Sequence, residues 1–202
     1  QNIRPVEGTR LTRGIRNNNP IAIGTETAKT DTANATSVGG TGLSSPHHSR
    51  AASGAPRGLR NNNPLNIRIG KNDWKGKVLM NNDGEFEQFI SMEYGFRAAL
   101  LTIETYILKH GCNTIRKIIT RWAPPTDGNN TEQYIRDVCM STNIGGNEVI
   151  SNHDKRLKDI VWAMARIESG GGIKDYQSSL DKAFDAFVPR KPAEVARKKK
   201  YS

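Results

Sequence analysis

Apolar residues recur at helical spacing from Met92 onward. Phe96, Leu100, Ile103, Tyr106 and Ile107 share one face, and Gly111 follows as a stop. Ile115, Ile118, Ile119 and Trp122 predict a second helix, capped by Asn113 and halted by Pro124 and Pro125. The turn DGNN at 127–130 precedes a third, marked by Tyr134, Ile135, Val138 and Cys139. A fourth starts near Ser151 or Asn152, where Ser151 and Asp154 have capping-box spacing, and carries Leu157, Ile160, Val161 and Met164. A fifth covers roughly Asp175 to Phe187, with Leu180, Ala183, Phe184 and Phe187 on one face.

Between residues 65 and 90 the pattern is different. The runs NIRIG, WKGKVLM and EFEQFI alternate and are separated by Gly, Asn and Asp clusters, with NNDG at 81–84 as a turn. A small hairpin or sheet is expected there. The fold class is therefore mainly α, formally α+β.

Residues 25–56 break both patterns. They are rich in Thr, Ala, Ser and Gly, with few large apolar side chains, and cannot bury enough surface to offset chain entropy. An irregular segment is expected over 25–50. The division is an N-terminal arm and linker over 1–56, a folded domain over 57–189 and a C-terminal tail over 190–202. A repeat spans the first boundary: RGIRNNNP at 13–20 returns as RGLRNNNP at 57–64. The second copy runs into the folded region and reads as the working one. The first is either a duplicated relic or an arm that packs on the domain.

Charge follows the same division. The formal net charge of the 202 residues is +10, yet residues 1–56 carry +3 and residues 190–202 carry +5, leaving +2 for the domain. A specific nucleic-acid fold shows its basic stripe on the domain itself, so none is expected. The charged ends suit loose attraction to an anionic surface or to partner proteins, or simply a solvated tail. The opening QNIRPVEG has no apolar signal core, and no run is long enough to span a membrane. Cys112 and Cys139 could pair or stay as thiols; neither they nor the scattered His47, His48, His110 and His153 have metal-ligand spacing. No metal or cofactor is expected.

Candidate chemistry lies at the end of the fourth helix, WAMARIESGGG over 162–172. Residue 168 falls ~20° from Leu157 and Val161 on the helical wheel, so Glu168 projects from the apolar face. Burial and the helix C-terminus both disfavour its anion and raise its pKa. A carboxylic acid that keeps its proton near neutrality is what glycosidic cleavage demands of a general acid. Glu85 and Glu87, alternating onto one strand face, are the candidates for a second acid; Glu93 is a more remote one.

The string ARIESGG resembles the catalytic helix end of lysozyme-like lytic transglycosylases and glucosaminidases. NPLNIRIG at 63–70, WKG at 74–76 and FEQFISMEYGFRA at 86–98 resemble further pieces of that superfamily, but here they precede the glutamate, in a permuted order. The longer strings RNNNPLNIR and WAPPTDGNNTEQY resemble the muralytic structural proteins of the enveloped double-stranded-RNA bacteriophages, the cystoviruses. The resemblance covers residues 57–187. It implies a lysozyme-like helical domain and a virion-borne enzyme that degrades bacterial peptidoglycan at entry or lysis, in the host periplasm or cell wall. The arm and tail would then contact other virion proteins.

On that resemblance Glu168 is the general acid and base. Ser169 bonds the substrate or closes the turn, Trp74 and Tyr134 stack on sugar rings or pack in the core, and Asn66 positions substrate or caps a turn. Cleavage of the glycan strand is the expected reaction. Cleavage of peptide cross-links and a non-catalytic structural role are the alternatives.

Overall fold

The computed structural model describes residues 54–192. The linker over 25–50, the first copy of the repeat and most of the basic tail lie outside the described residues. The fold is mainly helical. Its elements are α1 (Arg57–Arg60), α2 (Met92–His110), α3 (Ile115–Trp122), α4 (Thr131–Thr142), α5 (Leu157–Ser169) and α6 (Gln177–Asp185). Two 3-10 segments, Pro125–Asp127 and Gly170–Tyr176, join the set. None of the described helices is long and apolar enough to cross a membrane.

The core forms where the predicted faces meet. Phe96, Leu100 and Ile103 of α2, Ile118, Ile119 and Trp122 of α3, and Ile160, Val161 and Met164 of α5 are all essentially inaccessible to solvent. Each such side chain contributes ~1.5–3 kcal/mol relative to exposure. α2 packs chiefly on α6, while α5 touches α1, α2, α4 and α6, so the end of α5 is held from several sides.

Helix ends mostly follow local chemistry. Gly111 closes α2 in the left-handed conformation, and the Asn130 side chain accepts from the Gln133 N–H at the start of α4. The cap of α3 is Thr114, not Asn113: its hydroxyl accepts from the Lys117 N–H. α5 begins at Leu157, later than the Ser151–Asp154 spacing suggests. Asp154 instead binds the Arg156 backbone N–H and guanidinium, which holds 151–156 in turns. The fifth helix is α6, two residues shorter at each end than 175–187, with the 3-10 segment leading into it.

The expected sheet does not form. Among the described residues the 65–90 region has only isolated antiparallel bridges, Arg68 with Phe86 and Lys77 with Phe89. Backbone bonds flank each bridge, Glu87 to Ile67 and Ile69 to Glu85 at one, Val78 to Gln88 and Ile90 to Gly76 at the other, and polar side chains bind the backbone beyond them. Asn63 donates to the carbonyls of Ile67 and Glu87 and accepts from the Ile67 N–H. Asp83 accepts from the Phe86 N–H, and Asn81 donates to the Phe86 carbonyl. Side-chain bonds of this kind offer the backbone an alternative to strand pairing.

The first residue assigned to the tail belongs to the body. Arg190 pairs with Glu104 of α2, whose side chain is fully buried, through both its guanidinium and its backbone N–H. Its guanidinium also reaches the Thr105 hydroxyl, and Asn152 bridges Glu104 to the Arg190 carbonyl. Cys112 and Cys139 are free thiols, both partly buried.

Candidate active site

Glu168 stands in the last turn of α5, on the side of the core, with part of its surface still open to solvent. Three segments distant in sequence converge on its carboxyl group. The Trp122 indole N–H at the end of α3 donates to Oε1 at 3.0 Å. The Tyr134 hydroxyl on α4 donates to the same oxygen at 3.0 Å. The Asn66 amide Nδ2 donates to Oε2 at 3.3 Å.

Burial raises the Glu168 pKa from 4.5 to about 7, against the opposing pull of the hydrogen bonds from Trp122, Asn66 and Tyr134. Burial likewise pushes the Tyr134 hydroxyl well above its usual range, so Tyr134 stays a neutral donor. An indole can only donate. With two donors on Oε1 and one on Oε2, Oε2 is the oxygen better placed to take the proton of the acid. Asn66 suits both states of that oxygen. Its Nδ2 serves the anion, and its Oδ1, buried with no partner, is available to the protonated form if the amide turns over.

Asn66 is held where it is by its own neighbourhood. Its φ of +51° is left-handed, a region that Asn tolerates better than most residues. The preceding loop is tied to the end of α5: the Ser169 hydroxyl, buried, donates to the Pro64 carbonyl at 3.1 Å. Two of the three glycines after Ser169 have clear local reasons. Gly170 has φ +64°, and a Cβ on Gly172 would stand 2.6 Å from Leu59 Cδ1. They turn the chain sharply and let α1 close on the helix end.

The remaining predicted residues lie elsewhere. Glu87 is completely buried, its Oε1 held by the Lys77 ammonium at 3.0 Å and the Gly70 N–H at 3.2 Å. Glu85 is exposed and pairs with Arg57 at 2.7 Å. Neither makes a hydrogen bond to Glu168 or its donors. Glu93 lies in the first turn of α2. Trp74 is core, 5% exposed, and offers no open face to a ligand. Tyr134 is equally buried, so it acts through its hydroxyl and not as a stacking platform. Ser169 is occupied by Pro64.

Trp122 lies on the apolar face of its helix, and nothing local in the sequence says where its N–H points. The Asn61–Asn63 run is the other unforeseen contributor. Asn61 binds Asp83 and Gln88, Asn62 binds the Phe89 carbonyl, and Asn63 binds Ile67 and Glu87, so this run moors the loop that carries Asn66.

A depression of about 350 Å³ opens beside this helix end, between α4 and α5. Asp137, Met140, Arg166 and Gly171 are among the residues lining it, and Glu168 is not. Among the described residues no group of three His, Cys, Asp or Glu side chains is arranged to hold a metal ion.

Comparison with known proteins identifies the class: the chain belongs to a family of bacteriophage proteins. The relative that shows this is Protein P5 of Pseudoalteromonas phage PM2, 37% identical over 134 residues, which are 65% of this chain and 81% of that protein. No family model matches the chain. The relative's name states no activity.

Proposed function

We propose that this phage protein is a virion-associated enzyme that degrades bacterial peptidoglycan, opening the host wall at entry or lysis, and that Glu168 cleaves the glycan strand as a lytic transglycosylase does. The observation that carries the reading is a single carboxyl group, pushed by burial to a pKa of about 7, with two fixed donors on one oxygen and the Asn66 amide on the other.

In this mechanism the Oε2 proton passes to the oxygen that bridges two sugars, and the bond from C1 to that oxygen breaks. The resulting carboxylate, steadied by Trp122 and Tyr134, takes the proton of the muramyl C6 hydroxyl as that oxygen bonds to C1. The product is an anhydro sugar, and Glu168 regains its proton. One carboxylate suffices for both steps. That fits a site in which Glu87 is sealed against Lys77 and Glu85 is committed to Arg57. The lysozyme-like resemblance of the helix end supports the same chemistry.

The test is mass spectrometry of purified peptidoglycan digested by the protein. Anhydromuropeptides are expected, and they should vanish with Glu168→Gln. New reducing sugars would mean a hydrolase with a second acid. New amino termini would mean a cross-link endopeptidase. An unchanged wall at every pH would leave a structural role and refute the proposal.

A further inference from the structure

Gly95 lies near the start of α2 and is buried, at a place where local propensity disfavours glycine. Its reason is a close crossing. A Cβ there would stand 1.9 Å from the Asn62 carbonyl oxygen, 3.0 Å from the Asn62 carbonyl carbon and 2.7 Å from Pro64 Cδ. The first two are backbone atoms, which cannot swing aside. Gly76 makes the contrast: the atoms that a Cβ would meet there belong to the Tyr94 ring, a side chain.

The loop pressed against Gly95 leads to Glu168. Asn62 has φ +50° and donates to the Phe89 carbonyl. Asn63 binds the backbone of Ile67 and Glu87. The Asn66 N–H donates to the Asn63 carbonyl at 3.0 Å, so the turn 63–66 carries Asn66 in one piece with the loop. The other side of the loop meets α1 and the end of α5. There the Ser169 hydroxyl donates to the Pro64 carbonyl. A Cβ on Gly58 would stand 2.8 Å from Ser169 Oγ, 2.9 Å from the Asn63 carbonyl oxygen and 3.1 Å from Asn66 Oδ1. The loop is gripped from both sides, and it delivers the Asn66 amide to Glu168 Oε2 at 3.3 Å, the outer edge of hydrogen-bond distance.

We propose that Gly95 is a positioning residue for the Glu168 acid: by letting α2 close on the 62–64 loop, it sets the reach of the Asn66 amide to the carboxyl group. An added methyl must push the Asn62 carbonyl back by roughly 1 Å or more to restore van der Waals contact, and a bond already at 3.3 Å does not survive a shift of that size. The groups that face the carboxyl are Trp122 of α3, Tyr134 of α4 and Asn66. Tyr134 alone of these titrates, and burial keeps it neutral. Arg57 of α1 is committed to Asp83 and Glu85. Asn66 is one of the three donors that favour the anion, so its withdrawal leaves the proton more tightly held. The effect on wall lysis rests on the Glu168 reading; the effect on the titration of Glu168 does not.

The test follows the Glu168 carboxyl by carbon-13 NMR in the full chain, with glutamate labelled at Cδ; Glu168→Gln assigns the signal by its loss. Asn66→Gly removes the amide and keeps the left-handed backbone, and should raise the midpoint above about 7 by roughly 0.5–1 pH unit. Gly95→Ala should raise it by the same amount, and the double variant no further. Gly111→Ala strains a left-handed glycine at the other end of α2, where a Cβ meets nothing within 4 Å, and should leave the midpoint in place. The alkaline limb of wall lysis should move with the midpoint in Asn66→Gly and Gly95→Ala.

An unchanged midpoint in Gly95→Ala, a shift that adds to that of Asn66→Gly, or an equal shift in Gly111→Ala overturns the proposal. Should Gly95→Ala fail to fold, Ser169→Ala loosens the same loop from its other side: a midpoint raised as in Asn66→Gly supports the positioning, and an unchanged one overturns it. A raised midpoint in Gly95→Ala, with wall lysis untouched there and in Glu168→Gln, keeps the positioning and sinks the Glu168 reading.

Discussion

Replacing Glu168 with Gln should separate its chemical role from its structural one. The amide keeps the shape of the carboxyl group. Its oxygen can still accept from Trp122 and Tyr134, and its Nε2 gains the Asn66 Oδ1 as an acceptor once that amide turns over, giving a partner to an atom that lacks one. The wild-type carboxyl binds its proton more tightly in the fold, at about 7, than at its ordinary 4.5. A group with a raised pKa contributes stability that is fully present below the unfolded value and is lost as pH rises through the folded one. At ~1.36 kcal/mol per pKa unit the loss is at most about 3 kcal/mol, and the partial exposure of Glu168 trims it toward about 2 kcal/mol. Glutamine has no such loss. Urea unfolding from pH 4 to 8.5 should therefore show the variant gaining on wild type between about pH 4.5 and 7, with a constant difference above that. Wall lysis should fall by ~10²–10⁴-fold below about pH 7, where the wild-type acid keeps its proton. Parallel stability curves across the whole range would refute the raised pKa, and wild-type lysis by the variant would refute the general acid.

Other perturbations probe the surroundings. Tyr134→Phe removes a donor that favours the anion, so the Glu168 pKa should rise further and the alkaline limb of the activity profile should move above about 7; a limb that stays put would mean that Tyr134 does not hold the carboxylate. Arg190→Ala leaves the buried Glu104 without its main partner and should cost ~3–5 kcal/mol in chemical denaturation. Truncation after residue 192 removes a net charge of +3 but keeps Arg190. It should weaken binding to anionic walls or capsids in a salt-dependent way, since such charges act over ~8 Å at physiological ionic strength, and it should leave turnover of soluble glycan fragments unchanged.

The helices were legible because each buries a stripe with a 3.6-residue period, and Glu168 was legible because it continues the stripe of Leu157 and Val161. The 65–90 region was not. Its apolar residues Ile67, Phe86 and Phe89 are buried, but so is Glu87 between the last two, and backbone pairing stops at two short bridges beyond which Asn63, Asn81 and Asp83 bind the backbone. No periodicity reveals where that pairing stops. The roles of Trp122, Tyr134 and Asn66 were hidden for another reason. They depend on where a single N–H or O–H points after segments 46, 34 and 102 residues apart have docked.

Those separations bear on folding. Contacts between distant segments form only after long loops have closed, and loop closure slows with such non-local pairing. A chain in which α3, α4 or the Asn66 loop has not yet docked exposes Glu168 to water, where an ordinary glutamate is ionised at neutral pH. Proton retention is thus among the last properties the polypeptide acquires. A half-folded molecule, whether newly made or partly unfolded, would have the glutamate and the helix but not the raised pKa, so proton retention would come with completion of the fold and not in proportion to it.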